Sequence, residues 1–197
     1  MLFRSLLADV GLVGFPNAGK STLISRISAA HPKIADYPFT TLEPNLGVVS
    51  YGDEKTFVVA DIPGLIEGAH TGAGLGLDFL RHIERTKLLL FVIDISSASG
   101  REPVSDLETL VAELQAYKVA LLDKPHLVAA SKADAMDDPG RLERLVSFCR
   151  DQGWEVILIS SVSGLGIRGL VGRLGRMFEE QRQIEIENEA AVAHSGN

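Results

Sequence analysis

The chain has 197 residues, enough for one sizeable domain with some length to spare, and its 46% hydrophobic and 23% charged content is ordinary for a soluble globular protein. A formal charge of −7 argues against a non-specific grip on nucleic acid through a basic face, and a lone cysteine excludes an internal disulfide, which fits a reducing compartment. No apolar run approaches the roughly 18 residues of a membrane-crossing helix and Met1-Leu2-Phe3-Arg4-Ser5 does not read as a signal peptide, so a cytoplasmic protein without a membrane partner is expected.

Ala8-Asp9-Val10-Gly11-Leu12-Val13 reads as a buried strand, and Gly14-Phe15-Pro16-Asn17-Ala18-Gly19-Lys20-Ser21 follows it directly. The second stretch fits G-x-x-x-x-G-K-[ST], in which glycines let backbone N–H groups approach phosphate oxygens. Lys20 would reach the β- and γ-phosphates, the Ser21 hydroxyl would hold Mg²⁺, and Thr22 lies in the same first turn. The helix starting at Lys20 aims its N-terminal dipole at the same anion and carries Leu23, Ile24 and Ile27 on its apolar face. His31-Pro32 ends regular structure, and a long loop to about Pro44 supplies Phe39, Thr40 and Thr41 as candidate ligand contacts. Asn45 to Tyr51 and Thr56 to Ala60 read as strands joined by Gly52-Asp53-Glu54, a link short enough to require antiparallel pairing. The second of them delivers Asp61-Ile62-Pro63-Gly64, in which Asp61 is placed to bind Mg²⁺ through water and the Gly64 N–H to meet a γ-phosphate.

Five glycines between 64 and 76 make another flexible loop, and a helix is expected from Leu77 to Arg85. Leu88 to Ile93 is a continuous apolar run, typical of a strand buried on both faces. Pro103 opens a helix whose inward stripe is Val104, Leu107, Leu110, Val111 and Leu114. After a strand from Pro125 to Ala130, Ser131-Lys132-Ala133-Asp134 is the candidate base-reading element. A carboxylate at Asp134 can accept from guanine N1–H and N2–H₂, whereas adenine would leave it unpaired, and the Lys132 stem can cover the base face. Asp138-Pro139 is a cap and an N1 proline, followed by Leu142, Leu145, Val146 and Cys149 on one face, where the thiol is inert packing. The last strand, Glu155 to Ile159, ends in Ser160, Ser161 and Val162, whose N–H groups could donate to guanine O6. The closing helix uses Ile167, Leu170, Val171, Leu174, Met177 and Phe178; beyond about Gln181 the apolar stripe is lost and a polar tail or truncated linker over 181–197 is expected.

Six strands alternating with helices make 1–180 one α/β domain, a phosphate-loop NTPase fold with a mostly parallel sheet, one antiparallel edge strand and helices on both faces. Every candidate motif lies just after a strand, where open α/β sheets bind ligands. From about Leu7 to Met177 the chain resembles the G domain of an Obg-family GTPase. The resemblance rests on Gly14 to Ser21, Tyr37-Pro38-Phe39-Thr40-Thr41-Leu42-Glu43-Pro44-Asn45-Leu46-Gly47, Asp61-Ile62-Pro63-Gly64-Leu65-Ile66-Glu67-Gly68-Ala69, Gly72 to Gly76 and Phe79 to Thr86. It implies Mg²⁺-dependent binding of GTP and GDP, GTP hydrolysis, two nucleotide-sensitive loops, and work with the ribosome, in large-subunit assembly or stress control, through the full-length protein. It also implies that Thr41 rather than Thr40 is the Mg²⁺ ligand. A monomer is expected, without direct sequence-specific nucleic-acid binding.

Departures from the family pattern set further expectations. Only about seven residues precede the first strand and no C-terminal extension is present, which reads as a piece of a longer protein. Ser131 stands where the family usually has an asparagine that ties the base loop to the phosphate loop, so weaker guanine affinity is expected, with selectivity kept by Asp134. Ser161 replaces the usual alanine, which a backbone contact tolerates. Leu65 follows Gly64 where small GTPases carry a water-orienting glutamine, so another group must stabilise the transition state. Asn17, at a position that binds K⁺ in related GTPases, makes K⁺ a candidate alongside Lys20, Thr41 and Gly64; Arg81 and Arg85 are alternatives. An ATPase with relaxed base selection and a docking module with little turnover remain as rival functions.

Overall fold

The computed structural model describes residues 8–29, 33–34, 45–61 and 83–195. Its strands are β1 (Val10–Val13), β2 (Lys33–Ile34), β3 (Asn45–Tyr51), β4 (Lys55–Asp61), β5 (Leu88–Asp94), β6 (His126–Ser131) and β7 (Val156–Leu158). The helices are α1 (Lys20–Ile27), α2 (Pro103–Tyr117), α3 (Pro139–Asp151) and α4 (Ile167–Ser195). The strands form a single sheet in the order β2-β3-β4-β1-β5-β6-β7. Strands β4, β1, β5, β6 and β7 pair in parallel, and β3 pairs antiparallel with β4. The six expected strands are therefore present, with β3 the one that runs against the rest. The two-residue β2 adds a seventh on its outer side, through Lys33↔Leu46 and Ile34↔Asn45, inside the segment expected to be loop.

β5 sits one place from the middle of the sheet and all seven of its residues are buried. Alternation sends Leu89, Phe91 and Ile93 to one face, where they pack with Leu107, Leu110 and Leu114 of α2 and with Leu145 and Cys149 of α3. Leu88, Leu90 and Val92 go to the other face, with Leu23, Ile24 and Ile27 of α1 and Leu170, Leu174, Met177 and Phe178 of α4. Side chains of this size each contribute on the order of 1.5–3 kcal/mol when fully buried. The thiol of Cys149 is wholly enclosed, and burial pushes its pKa up to about 11, as expected of inert packing.

The face of α3 departs from its expected stripe. Val146 is 40% exposed, while Arg141 is buried at 8%. The guanidinium is satisfied there by carbonyls: Nε donates to Ile95 O (3.0 Å), and Nη2 donates to Ser96 O (3.0 Å) and to Arg101 O. Helix α4 also runs on past its apolar stripe, to Ser195. Glutamate, glutamine and alanine sustain a helix without burial, and Lys87 pins the extension through its ion pair with Glu185 (2.5 Å). Among the described residues no helix is long and apolar enough to cross a membrane.

Candidate functional site

The carboxyl ends of β1, β4, β5, β6 and β7 open on one edge of the sheet, and the register aligns them: Leu12 pairs with Asp61, and Asp94 with Ser131. The turn leaving β1 can only be made with glycine at its start. A Cβ on Gly14 would lie 2.6 Å from Val92 O, and Gly19 turns the chain into α1 with φ 103°. Asn17 also takes a left-handed φ, of 64°. No side chain caps α1 and no acidic residue lies in its first turn, so its leading N–H groups face the cleft unscreened. At α3, by contrast, Asp138 Oδ1 accepts from Gly140 N (2.9 Å) and closes that helix start.

Lys20 folds back across this loop, with Nζ donating to Gly14 O (2.8 Å) and Phe15 O (3.0 Å). Burial pulls its pKa below the ordinary lysine value, and the nearby Asp61 carboxylate opposes that shift. Ser21 Oγ donates to Asp61 Oδ2 (2.7 Å). The other carboxylate oxygen, Oδ1, is buried without a hydrogen-bond partner among the described residues, 4.0 Å from Lys20 Nζ. A buried, half-satisfied carboxylate beside a serine hydroxyl is a hard-oxygen pair that suits Mg²⁺. Among the described residues no cluster of His, Cys, Asp and Glu is assembled for a metal, so a cation here would rest on these oxygens and on a ligand's phosphates.

The base-reading candidates gather at the ends of β6 and β7. Lys132 turns through a left-handed φ of 64°, and its Nζ pairs with Asp94 Oδ2 (2.6 Å). The exposed carboxylate of Asp134 accepts from Ser160 Oγ (2.5 Å), whose oxygen also accepts from Ser163 N (3.0 Å). Ser160 is fully buried; Ser161 is half-buried and Val162 is exposed. Ser131 Oγ donates to Ala18 O (2.6 Å), so the base loop and the phosphate loop are tied together. The tie that the family's asparagine makes is thus made here by a hydroxyl: β6 delivers residue 131 close enough, with its oxygen 3.7 Å from where a Cβ on Gly19 would stand.

The candidates Gly14, Phe15, Pro16, Asn17, Ala18, Gly19, Lys20, Ser21, Thr22, Asp61, Ser131, Lys132, Asp134, Ser160, Ser161 and Val162 all fall on this one edge or in the turns leaving it. Phe39, Thr40, Thr41, Ile62, Pro63, Gly64, Leu65, Arg81 and most of the expected helix from Leu77 lie outside the described residues. Four residues of the site's framework were missed by sequence reasoning. Asp94 holds Lys132, Ser96 holds Asp94, Arg101 lies 3.7 Å above the Phe15 ring as a cation on an aromatic face, and Arg141 holds the loop that carries Ser96 and Arg101. The one available signal was an arginine at the inward start of α3, a charge that must find partners if it is buried.

Residues 9–132 match the profile of a family described as 50S ribosome-binding GTPase. The chain is 60% identical to the GTPase Obg of Solibacter usitatus over 84% of its own length and 49% of that protein's, and 56% identical to the GTPase Obg of Acidobacterium capsulatum over 92% and 54%. It therefore spans about half the length of the curated relatives it matches. A solved structure of an Aquifex aeolicus Era variant bound to GDP and AlF4⁻ superposes with a TM-score of 0.64 at 25% identity, over 85% of this chain and 55% of that one. The chain belongs to the 50S ribosome-binding GTPase family, and within it resembles the G domain of the Obg proteins.

Proposed function

We propose that this chain is the nucleotide-binding and GTP-hydrolysing part of an Obg-type switch, taking GTP and GDP with Mg²⁺. The observation that carries the reading is the Ser21–Asp61 pair, with one buried carboxylate oxygen left over, beside an uncapped helix start and a buried lysine. Lys20 exchanges its contacts with Gly14 O and Phe15 O for β- and γ-phosphate oxygens. The first-turn N–H groups of α1 hold the same anion. Ser21 and Asp61 hold Mg²⁺ with Thr41; the ion, when bound, neutralises charge on the β- and γ-phosphates. Phe39 and Thr40 flank Thr41, and Ile62 and Pro63 carry the chain to Gly64, whose N–H meets the γ-phosphate. Asn17 takes K⁺ as the charge that replaces an arginine finger.

Asp134 reads guanine N1–H and N2–H₂, held from behind by Ser160, while Ser161 and Val162 offer N–H groups to O6. The Ser131 tie keeps the base loop in register with the phosphate loop, while the Asp134 carboxylate favours guanine selection over the ATPase reading. The family description supports docking on the large ribosomal subunit; as parts of the same proposal, that docking serves assembly or stress control by the full-length protein in the cytoplasm, and this part acts as a monomer.

The test is phosphate release from GTP and from ATP, each with Mg²⁺ or with excess chelator, in K⁺ and in Na⁺ buffers. Slow turnover of GTP alone, lost with chelator and faster in K⁺, is expected. Equal turnover of ATP overturns guanine selection, and tight GTP binding with no turnover reduces the chain to a docking module.

A further inference from the structure

The loop leaving β5 contains no motif, yet it touches both ends of the cleft. Asp94, the last residue of β5, leads into it; it is 5% exposed and both its carboxylate oxygens are engaged. Oδ1 accepts from Ser96 N (2.9 Å) and Ser96 Oγ (2.7 Å), and Oδ2 accepts from Lys132 Nζ (2.6 Å). Ser96 is itself 1% exposed, and its carbonyl, with that of Ile95, is held by the buried Arg141. These contacts form one continuous chain: α3 fixes the 95–96 turn, the turn fixes the Asp94 carboxylate, and the carboxylate fixes the ammonium of Lys132.

We propose that Asp94 is a positioning residue for base recognition: it draws the Lys132 ammonium inward so that the four-carbon stem lies across the face of the bound purine. The inference rests on the nucleotide reading above and adds a specific role to a residue outside every motif. The long Lys132 side chain has many rotamers, so its backbone, at a left-handed φ of 64°, does not by itself set where the ammonium goes. On a lysine side chain 33% exposed the ammonium would otherwise point to solvent, its preferred surroundings. A carboxylate nearly buried and already accepting two hydrogen bonds from Ser96 cannot follow the lysine outward, so the lysine must come to it. Asp94 touches no nucleotide in this account; it acts through Lys132 alone.

The experiment is a double-mutant cycle on GDP affinity, using Asp94→Asn, Lys132→Met and the pair, with thermal unfolding recorded for each. Asp94→Asn is expected to weaken GDP about tenfold, and to cost less than about twofold once Lys132→Met is present. A merely structural role would lower affinity equally in both backgrounds. Ser96→Ala, which removes one of the bonds that hold Asp94, serves where Asp94→Asn does not fold; a smaller loss, about threefold, should likewise vanish beside Lys132→Met. Equal losses in both backgrounds, or no loss, overturn the inference and leave the nucleotide reading intact. Absence of GDP binding by the unaltered chain overturns both.

Discussion

At the phosphate end of the cleft, eight consecutive residues from Gly14 to Ser21 supply the turn, the lysine and the hydroxyl, and among the described residues only Asp61 joins them from elsewhere. At the base end the parts come from three strand ends: Asp94 closing β5, Ser131 closing β6 with Lys132 to Asp134 behind it, and Ser160 after β7. The first end is local, and its geometry follows from backbone sterics. The second depends on long-range register, so a substitution far from the ligand can misalign it. Among the described residues, the hydrogen bond from Ser131 Oγ to Ala18 O joins the two.

The difference can be broken first at its local end. Lys20→Ala removes the cation at the centre of the phosphate loop and should weaken GDP and GTP alike, by about 100-fold or more in equilibrium titration, because charge-assisted bonds to phosphate have no replacement there. Equal affinity would mean that the uncapped α1 start alone holds the anion. At the distributed end, Asp134→Asn should change identity more than strength. An amide offers a donor to the 2-oxo group of xanthine, so GDP should weaken by about 100-fold in competition assays while xanthosine diphosphate gains. The Ser160 bond to Oδ1 can persist, which keeps the loop in place.

Ser131→Ala tests the link itself. A buried carbonyl loses its donor, at a cost of about 1 kcal/mol, so GDP affinity should fall roughly fivefold. The preference for GTP over ATP should stay, because Asp134 is untouched. A collapse of that preference would show that the two ends are not separable. The smallest effect concerns pH. Burial lowers the Lys20 pKa in the folded chain below 10.5, so the unfolded chain holds that proton to higher pH and the stability of the ligand-free protein should rise with pH through the interval between. Bound phosphates stabilise the ammonium, so GDP affinity should fall across the same interval by a few-fold, about the size of a partly screened charge term. Lys20→Met should remove the slope.

The same contrast explains what was legible in the sequence. β1, the phosphate loop and α1 could be read off directly, since the glycine spacing and the apolar period state their own geometry. Asp61 was legible because a two-stranded hairpin with a short turn ends there. The Ser131 tie was not, because reach depends on how far β6 carries residue 131 toward Ala18, a tertiary quantity. The roles of Arg101 and Arg141 were invisible for the same reason: beside their ion pairs with Asp106 and Glu102, they meet an aromatic ring and backbone carbonyls brought near only by the fold. On α3 the periodic stripe named Val146, yet the buried place went to Arg141, whose donors satisfy a loop that would otherwise leave carbonyls unpaired. Beyond Gln181 hydropathy marked the end of burial, which is not the end of a helix.

β5 divides its side chains between both apolar faces, so neither face can open while the other stays shut. The amides from Leu89 to Ile93, bonded into parallel ladders on either side, can exchange with solvent only when the whole domain unfolds. Asp94 is the next residue along that strand. Deuterium uptake should therefore change abruptly within a few residues, from amides that report global stability to those that report nucleotide.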